Sequence, residues 1–189
     1  MSYPWMNKIR LETLRVSGSG NILVFETDVE KAEVHINDND ISKVIHITND
    51  SQIIIEKSQG YHLVVGEGNT QRDVYHYLKP AGPSLLLRLG ITIHRGLGTW
   101  SSLPHDFELQ TEPGFEEVFF YLLQGGSKKA IQVGRGMWCD GSVVDEVWLV
   151  KDHSWSTIPM GYHPLVGEPG VKVSYIWAYL AKKKEWEKI

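Results

Sequence analysis

Cysteine is nearly absent, with Cys139 the only one in 189 residues. No intrachain disulfide or thiolate cluster is available, so any metal here would rest on histidine and carboxylate donors. A basic excess is missing too. The chain carries 19 Lys and Arg against 23 Asp and Glu, a net charge of −4. Without surplus cations to displace counterions from a phosphate backbone, nucleic acid is excluded as the main partner. No apolar run approaches the roughly 20 residues that span a bilayer, and "MSYPWMNKIR" lacks the apolar core of a secretion signal. These absences lead to the expectation of a soluble, cytoplasmic chain with no membrane partner. Helix signals are scarce as well. The best is the C-terminal "LAKKKEWEKI", about two turns of mixed Lys and Glu that read as a solvated tail.

What the chain does have is strand. With 42% hydrophobic residues it can bury a core. Eleven short runs rich in Val, Ile, Phe, Tyr and Trp, from "NILVFE" to "VKVSYIWAYL", are separated by Gly, Asn, Asp and Pro. That spacing predicts an all-β sandwich or barrel. The alternation around Val34-His35-Ile36 and Val44-Ile45-His46-Ile47 is that of half-buried strands, which puts His35 and His46 on the solvent face. A soft division falls near residue 66. Residues 1–65 form a polar, β-rich N-terminal part, and residues 66–189 hold most of the Trp and the glycine-bounded strands. Chemistry is expected in the second part.

Three stretches there stand out. In "GTWSSLPHDFELQTEPGFEEVFFYLL", residues 98–123, His105, Asp106, Glu108, Glu116 and Glu117 precede an apolar strand. Strand alternation puts Glu117, Phe119 and Tyr121 on one face. A carboxylate sharing space with two aromatic rings sits at a barrel edge or is paired inside. In "IPMGYHPLVGEPG", Pro159 and Gly161 bend the chain before His163, and Pro164 stiffens the backbone immediately after it. A histidine held in that way suits a metal ligand or an acid–base residue, or a loop histidine capped by a backbone carbonyl. In "GEGNTQRDVYHYLKP", the glycines fit neither a phosphate loop nor a dinucleotide fingerprint, and Arg72 reads as a candidate core-supporting arginine.

The layout of these motifs resembles the cupin barrel: a turn with His and acidic residues, a Glu-bearing strand, and a Pro-x-Gly turn ending in His. More narrowly, "GEGNTQRDVYHYL", "GTWSSLP", "FEEVFFYLL", "IQVGRG", "VDEVWLVKD", "IPMGYHPLVGEPG" and "SYIWAYLA" are similar, block by block and in order, to the 5-deoxyglucuronate isomerase family of inositol catabolism. They are more distantly similar to the ketol-isomerases acting on 4-deoxy-5-ketouronates. The resemblance covers roughly residues 66 to 181. It implies a double-stranded β-helix barrel, jelly-roll-like, preceded by a reduced, degenerate N-terminal cupin-like half over residues 1–65.

The resemblance also implies one divalent metal ion, Zn, Mn or Fe. Its ligands would be Glu117 and His163, which match the family's glutamate and second-motif histidine, with His105, Asp106 or Glu108 completing the set. The first motif departs from the family pattern of two histidines. Aligned without a gap from Trp100, Asp106 and Glu108 take their places; with a one-residue deletion, His105 and Phe107 do. The implied reaction is an aldose–ketose isomerisation of a deoxyuronate, with Glu108 or Asp106 as the proton-moving carboxylate. Arg135 and Arg72 are the candidate partners of the substrate carboxylate, and Tyr121 and Gln132 either line the cavity or fill it. A small-molecule sugar acid is the expected partner, in a homo-oligomer. The altered motif supports an alternative, a non-catalytic cupin that binds a sugar or sugar acid. His94, in "GITIHRG", is expected on a strand surface, and the same reading leaves open whether His62, His76 and His153 approach the site.

Overall fold

The structure, a computed structural model, describes residues 2–101 and 112–187. It is built almost wholly of antiparallel strands in three layers. The first layer is a meander of β1 (Arg15–Ser19), β2 (Ile22–Glu26), β3 (Glu30–Asn37), β4 (Asp40–Thr48) and β5 (Gln52–Glu56). The central layer has six strands in the order β13 (Ser154–Ile158), β10 (Glu117–Gln124), β16 (Lys172–Leu180), β8 (Leu87–His94), β7 (Arg72–Leu78) and β6 (Tyr61–Val65). The outer layer runs β12 (Val143–Lys151), β11 (Lys129–Met137), β15 (Leu165–Gly167) and β9 (Trp100–Ser101), with β14 (Met160–Tyr162) also paired to β11. Although it precedes residue 66, β6 is hydrogen-bonded into the central sheet.

From β8 onward the chain alternates between the two sheets: β8 to β9, β10 to β11, β12 to β13, β15 to β16. This nesting is the jelly-roll, or double-stranded β-helix, of a cupin-type fold. Where β14 pairs with β11, Gly161 lies at a φ of +120°, and a Cβ there would come within 2.4 Å of the Arg135 carbonyl oxygen. Only glycine accommodates that close pairing, and His163, two residues on, is buried.

The central sheet is covered on both sides, and this decides where the cores sit. Val118, Phe120, Leu122, Leu87, Leu89, Ile91, Ile176 and Ala178 face the N-terminal sheet and meet Leu23, Phe25, Val34 and Ile41. A β-bulge between His35 and Ile36 lets Ile41 and Val44, of opposite parity, both point inward.

Two buried carboxylates fasten the layers. Glu30 accepts backbone N–H groups from Leu85, Leu86 and Leu87 at 2.9, 2.6 and 2.7 Å. Glu116 accepts those of Glu12, Thr13 and Leu14 at 2.8, 2.8 and 2.9 Å and pairs with Lys182. Burial opposes ionisation of both, but these bonds, with His46 on Glu30 and Lys182 on Glu116, hold both carboxyls below the usual range.

Two sequence expectations are corrected here. His46 is fully buried, not solvent-facing: it shares the face of Val44, which the central sheet covers, and its Nε2 lies 2.8 Å from Glu30. His35 does lie opposite buried Val34 and Ile36. The C-terminal stretch is not a solvated helical tail. It makes a single 3₁₀ turn, Lys184–Trp186, and buries Trp186 edge-on against Phe115 at 5.3 Å. Among the described residues there is no α-helix, and no helix is long and apolar enough to cross a membrane.

Candidate functional site

The jelly-roll interior is lined from the central sheet by Phe119, Tyr121, Leu123, Tyr175, Trp177 and Tyr179, which have opposite parity to the residues packed against the N-terminal sheet. Glu117 shares the parity of Phe119, is 5% exposed, and has Ile158 and Tyr179 as cross-strand neighbours. A carboxylate thus stands at one end of an aromatic interior, in keeping with the alternation in "EEVFFYLL".

His163 enters the same interior from the outer layer, in the link between β14 and β15. It is 2% exposed, and its ring meets Phe119 edge to face at 6.0 Å. Its Nδ1 lies 2.9 Å from the Gly161 carbonyl oxygen, so Nδ1 carries a proton and donates it to that carbonyl. Gln132 donates to the His163 carbonyl at 2.7 Å and accepts from the Tyr121 hydroxyl at 3.0 Å. Tyr121 and Gln132, both 0% exposed, therefore fill the interior and brace the backbone of His163. Burial pushes the Tyr121 hydroxyl's pKa well up, which keeps it a donor.

His94 corrects a further expectation. It is 1% exposed rather than on a strand surface, because the face of β8 opposite Leu89 and Ile91 is the jelly-roll interior. Its Nδ1 meets Thr99 Oγ1 at 2.7 Å and its Nε2 is hydrogen-bonded to Ser101 Oγ. Ser101 Oγ lies 3.5 Å from the Tyr175 hydroxyl, and the Tyr175 ring lies 4.5 Å from Phe119. Burial, then the charge of Arg72, lower the His94 pKa to about 3, so the imidazole is neutral. Arg72 stands directly across the ladder from His94, half-buried, donating to the Thr70 carbonyl at 2.9 Å. Sequence reasoning misses His94, Thr99, Ser101 and Tyr175 as interior polar groups. The signal is present in "LLLRLGITIH", where residues of both parities are apolar or small, as in a strand covered on both faces.

The remaining candidates separate. His76 faces the same interior, edge-on to Trp177 at 5.0 Å. His153 packs on Phe120 and Tyr3, on the N-terminal side of the central sheet. His62 pairs with Asp73 at the surface, 2.7 Å away. Arg135 lies on the outer face of β11, 68% exposed, 3.1 Å from Asp145. His105, Asp106 and Glu108 lie outside the described residues. Among the described residues no three His, Cys, Asp or Glu side chains gather as a metal site. Glu117 and His163 suit a divalent ion in kind, a carboxylate and an imidazole whose Nδ1 is turned to a backbone carbonyl, but among the described residues they fall short in number.

Residues 26–189 match the KduI/IolB family. Over 126 residues, 65% of the chain, there is 29% identity to the 5-deoxy-glucuronate isomerases of Halalkalibacterium halodurans and Geobacillus kaustophilus, covering 46% and 44% of them. The chain thus spans a little under half the length of these curated relatives. Among solved structures, an IolB-like protein from Salmonella typhimurium LT2 is similar with a TM-score of 0.61 and 21% identity, over 88% of this chain and 64% of that one. At that identity the likeness establishes the fold. With a match extending from the end of β2 through both sheets of the jelly-roll, the chain belongs to the KduI/IolB family.

Proposed function

We propose that this chain is a sugar-acid isomerase that interconverts the aldose and ketose forms of a deoxyuronate of the 5-deoxy-glucuronate type. The observation that carries this reading is the presence of Glu117 and His163, from opposite sheets, beside Phe119 in one aromatic interior, in a chain whose relatives bear that name. A divalent ion, Zn, Mn or Fe, would be held by Glu117 and His163 together with His105, Asp106 or Glu108. Such an ion polarises a carbonyl and the hydroxyl beside it.

The chain's own residues supply the rest. Phe119, Tyr175 and Trp177 exclude water from the interior, which strengthens every polar contact made there. Gly161 fixes the His163 ring, and Gln132 fixes its backbone. Glu108 or Asp106 moves the proton between adjacent carbons. Arg72, at the rim of the interior, is the candidate partner for the uronate carboxylate, and the exposed, Asp145-paired setting of Arg135 speaks against the same role for it.

The altered first motif favours a second reading, a cupin that binds a sugar acid without turning it over. Metal analysis of the purified protein beside His163→Ala and Glu117→Gln tests the metal part. The expected result is about one dication per chain, lost in both variants while circular dichroism shows the strand fold retained. A wild type without bound metal would overturn it.

A further inference from the structure

Arg88, on β8, is a buried cation whose bonding is incomplete. Only 4% of its side chain is exposed. Its Nη1 donates to Ser84 Oγ at 2.8 Å and to the Leu87 carbonyl at 3.1 Å, and its Nη2 donates to Glu187 Oε1 at 2.9 Å. Its Nε is closed to solvent and has no hydrogen-bond partner among the described residues. A guanidinium stays charged at every pH a protein meets, and a buried donor left unpaired is costly. The Nε is therefore a donor that a ligand oxygen can satisfy.

Strand register places Arg88 beside the candidate site. It shares the parity of His94, on the face of β8 opposite Leu87, Leu89 and Ile91, which pack towards the N-terminal sheet. Arg88 stands across from Tyr179, and Tyr179 across from Glu117. The guanidinium and the carboxylate thus belong to one rung of the central sheet, two strands or about 10 Å apart at their Cα atoms. A sugar acid with its carbonyl end at Glu117 and His163 can extend its carboxylate towards Arg88. Arg72 opens on the same interior from its other end, paired with His94, six residues or about 20 Å along β8 from Arg88. By this register Arg88 is the cation nearer to Glu117.

Glu187 uses only part of what Arg88 offers. An arginine holds a carboxylate best as a fork, with Nε and one Nη each donating to one of the two oxygens. Glu187 takes Nη2 through a single oxygen and leaves Nε unpaired. Its side chain is 37% exposed, so a turn of that side chain into water frees Nη2 while Trp186 stays packed on Phe115. We propose that Arg88 binds the carboxylate of the sugar acid as a fork through Nε and Nη2, and that Glu187 holds Nη2 until the acid displaces it. The buried guanidinium is paired before and after the exchange. This inference rests on the sugar-acid reading and holds for a converting and for a merely binding cupin.

Titration calorimetry of the purified protein tests it with two probes, 5-deoxy-glucuronate and 5-deoxy-glucose, which differ only in a carboxylate against a hydroxymethyl group. The wild type should prefer the acid. Arg88→Gln should raise the dissociation constant of the acid by about tenfold or more and leave that of 5-deoxy-glucose unchanged. Arg88→Lys, which keeps the charge without the fork, should fall between. Glu187→Ala removes the competing carboxylate and should tighten the acid by about threefold, the opposite of what the loss of a purely structural ion pair would do. Where Arg88→Gln does not fold, as judged by circular dichroism, Glu187→Ala decides. A folded Arg88→Gln that keeps the preference for the acid overturns the proposal, as does a Glu187→Ala that binds the acid no more tightly. A preference abolished by Arg72→Gln and kept by Arg88→Gln overturns it too. Conversion of the acid with either result would leave the isomerase standing without this inference; binding through Arg88 without conversion would do the reverse.

Discussion

The Nδ1 of His163 lies 2.9 Å from the carbonyl oxygen of Gly161, and Gly161 is where β14 approaches β11 too closely for any side chain. The orientation of the imidazole and the close pairing of two strands are therefore linked through Gly161. Gly161→Ala forces a Cβ to within 2.4 Å of the Arg135 carbonyl oxygen at a φ of +120°. It should cost about 3 kcal/mol or more, read by chemical denaturation, and should turn the His163 ring even where the fold survives.

Gln132 links Tyr121 to His163. Replacing it with leucine leaves the Tyr121 hydroxyl and the His163 carbonyl without these partners in a closed interior, at a cost of about 2–4 kcal/mol. Tyr121→Phe removes only one bond and should cost about 1 kcal/mol. Urea unfolding of the two variants checks the order; equal costs would mean that Gln132 does not couple the two.

Acid should loosen the N-terminal sheet. The folded pKa values of Glu30 and Glu116 lie below their unfolded value of about 4.3. The folded state therefore binds fewer protons, and the stabilisation present above that value is lost as pH falls through the lowered folded values. In hydrogen exchange, protection of Leu86, Leu87, Thr13 and Leu14 amides should fall in that range, and Glu30→Ala, which removes both acceptor oxygens, should lose that of Leu86 and Leu87 already at neutral pH.

His94 adds a second dependence at milder acidity. Its folded pKa is lowered to about 3 against about 6.5 when unfolded, so the unfolded chain binds the extra proton between those values. Stability from this group is complete above about pH 6.5 and declines as pH falls, by about 2 kcal/mol from pH 7 to pH 5. His94→Leu should be less stable at pH 7 because Thr99 and Ser101 lose their partner. It should also lack that part of the slope in urea titrations at pH 7 and pH 5.

Most of the fold is legible in the sequence because strand period and turn residues are local signals. The face shared by Glu117, Phe119 and Tyr121 and the rigid setting of His163 come from alternation and from Pro159, Gly161 and Pro164. The assignment of polar residues to water is what fails. His46 and His94 alternate with apolar neighbours as surface residues do, yet both are buried, because the central sheet is covered on two sides and each histidine meets a partner far away in the chain or across the sheets. The Lys- and Glu-rich tail misleads for a related reason: Trp186 packs on Phe115, and two of the charges around it meet buried partners, Lys182 with Glu116 and Glu187 with Arg88.

The central claim is tested most directly by following 5-deoxy-glucuronate by NMR in the presence of the purified, metal-loaded protein. Conversion between aldose and ketose forms is expected from the wild type, reduced by about a hundredfold or more in His163→Ala with the strand fold retained by circular dichroism. A folded, metal-loaded wild type that binds the sugar acid and leaves it unconverted would contradict the isomerase and favour the binding protein.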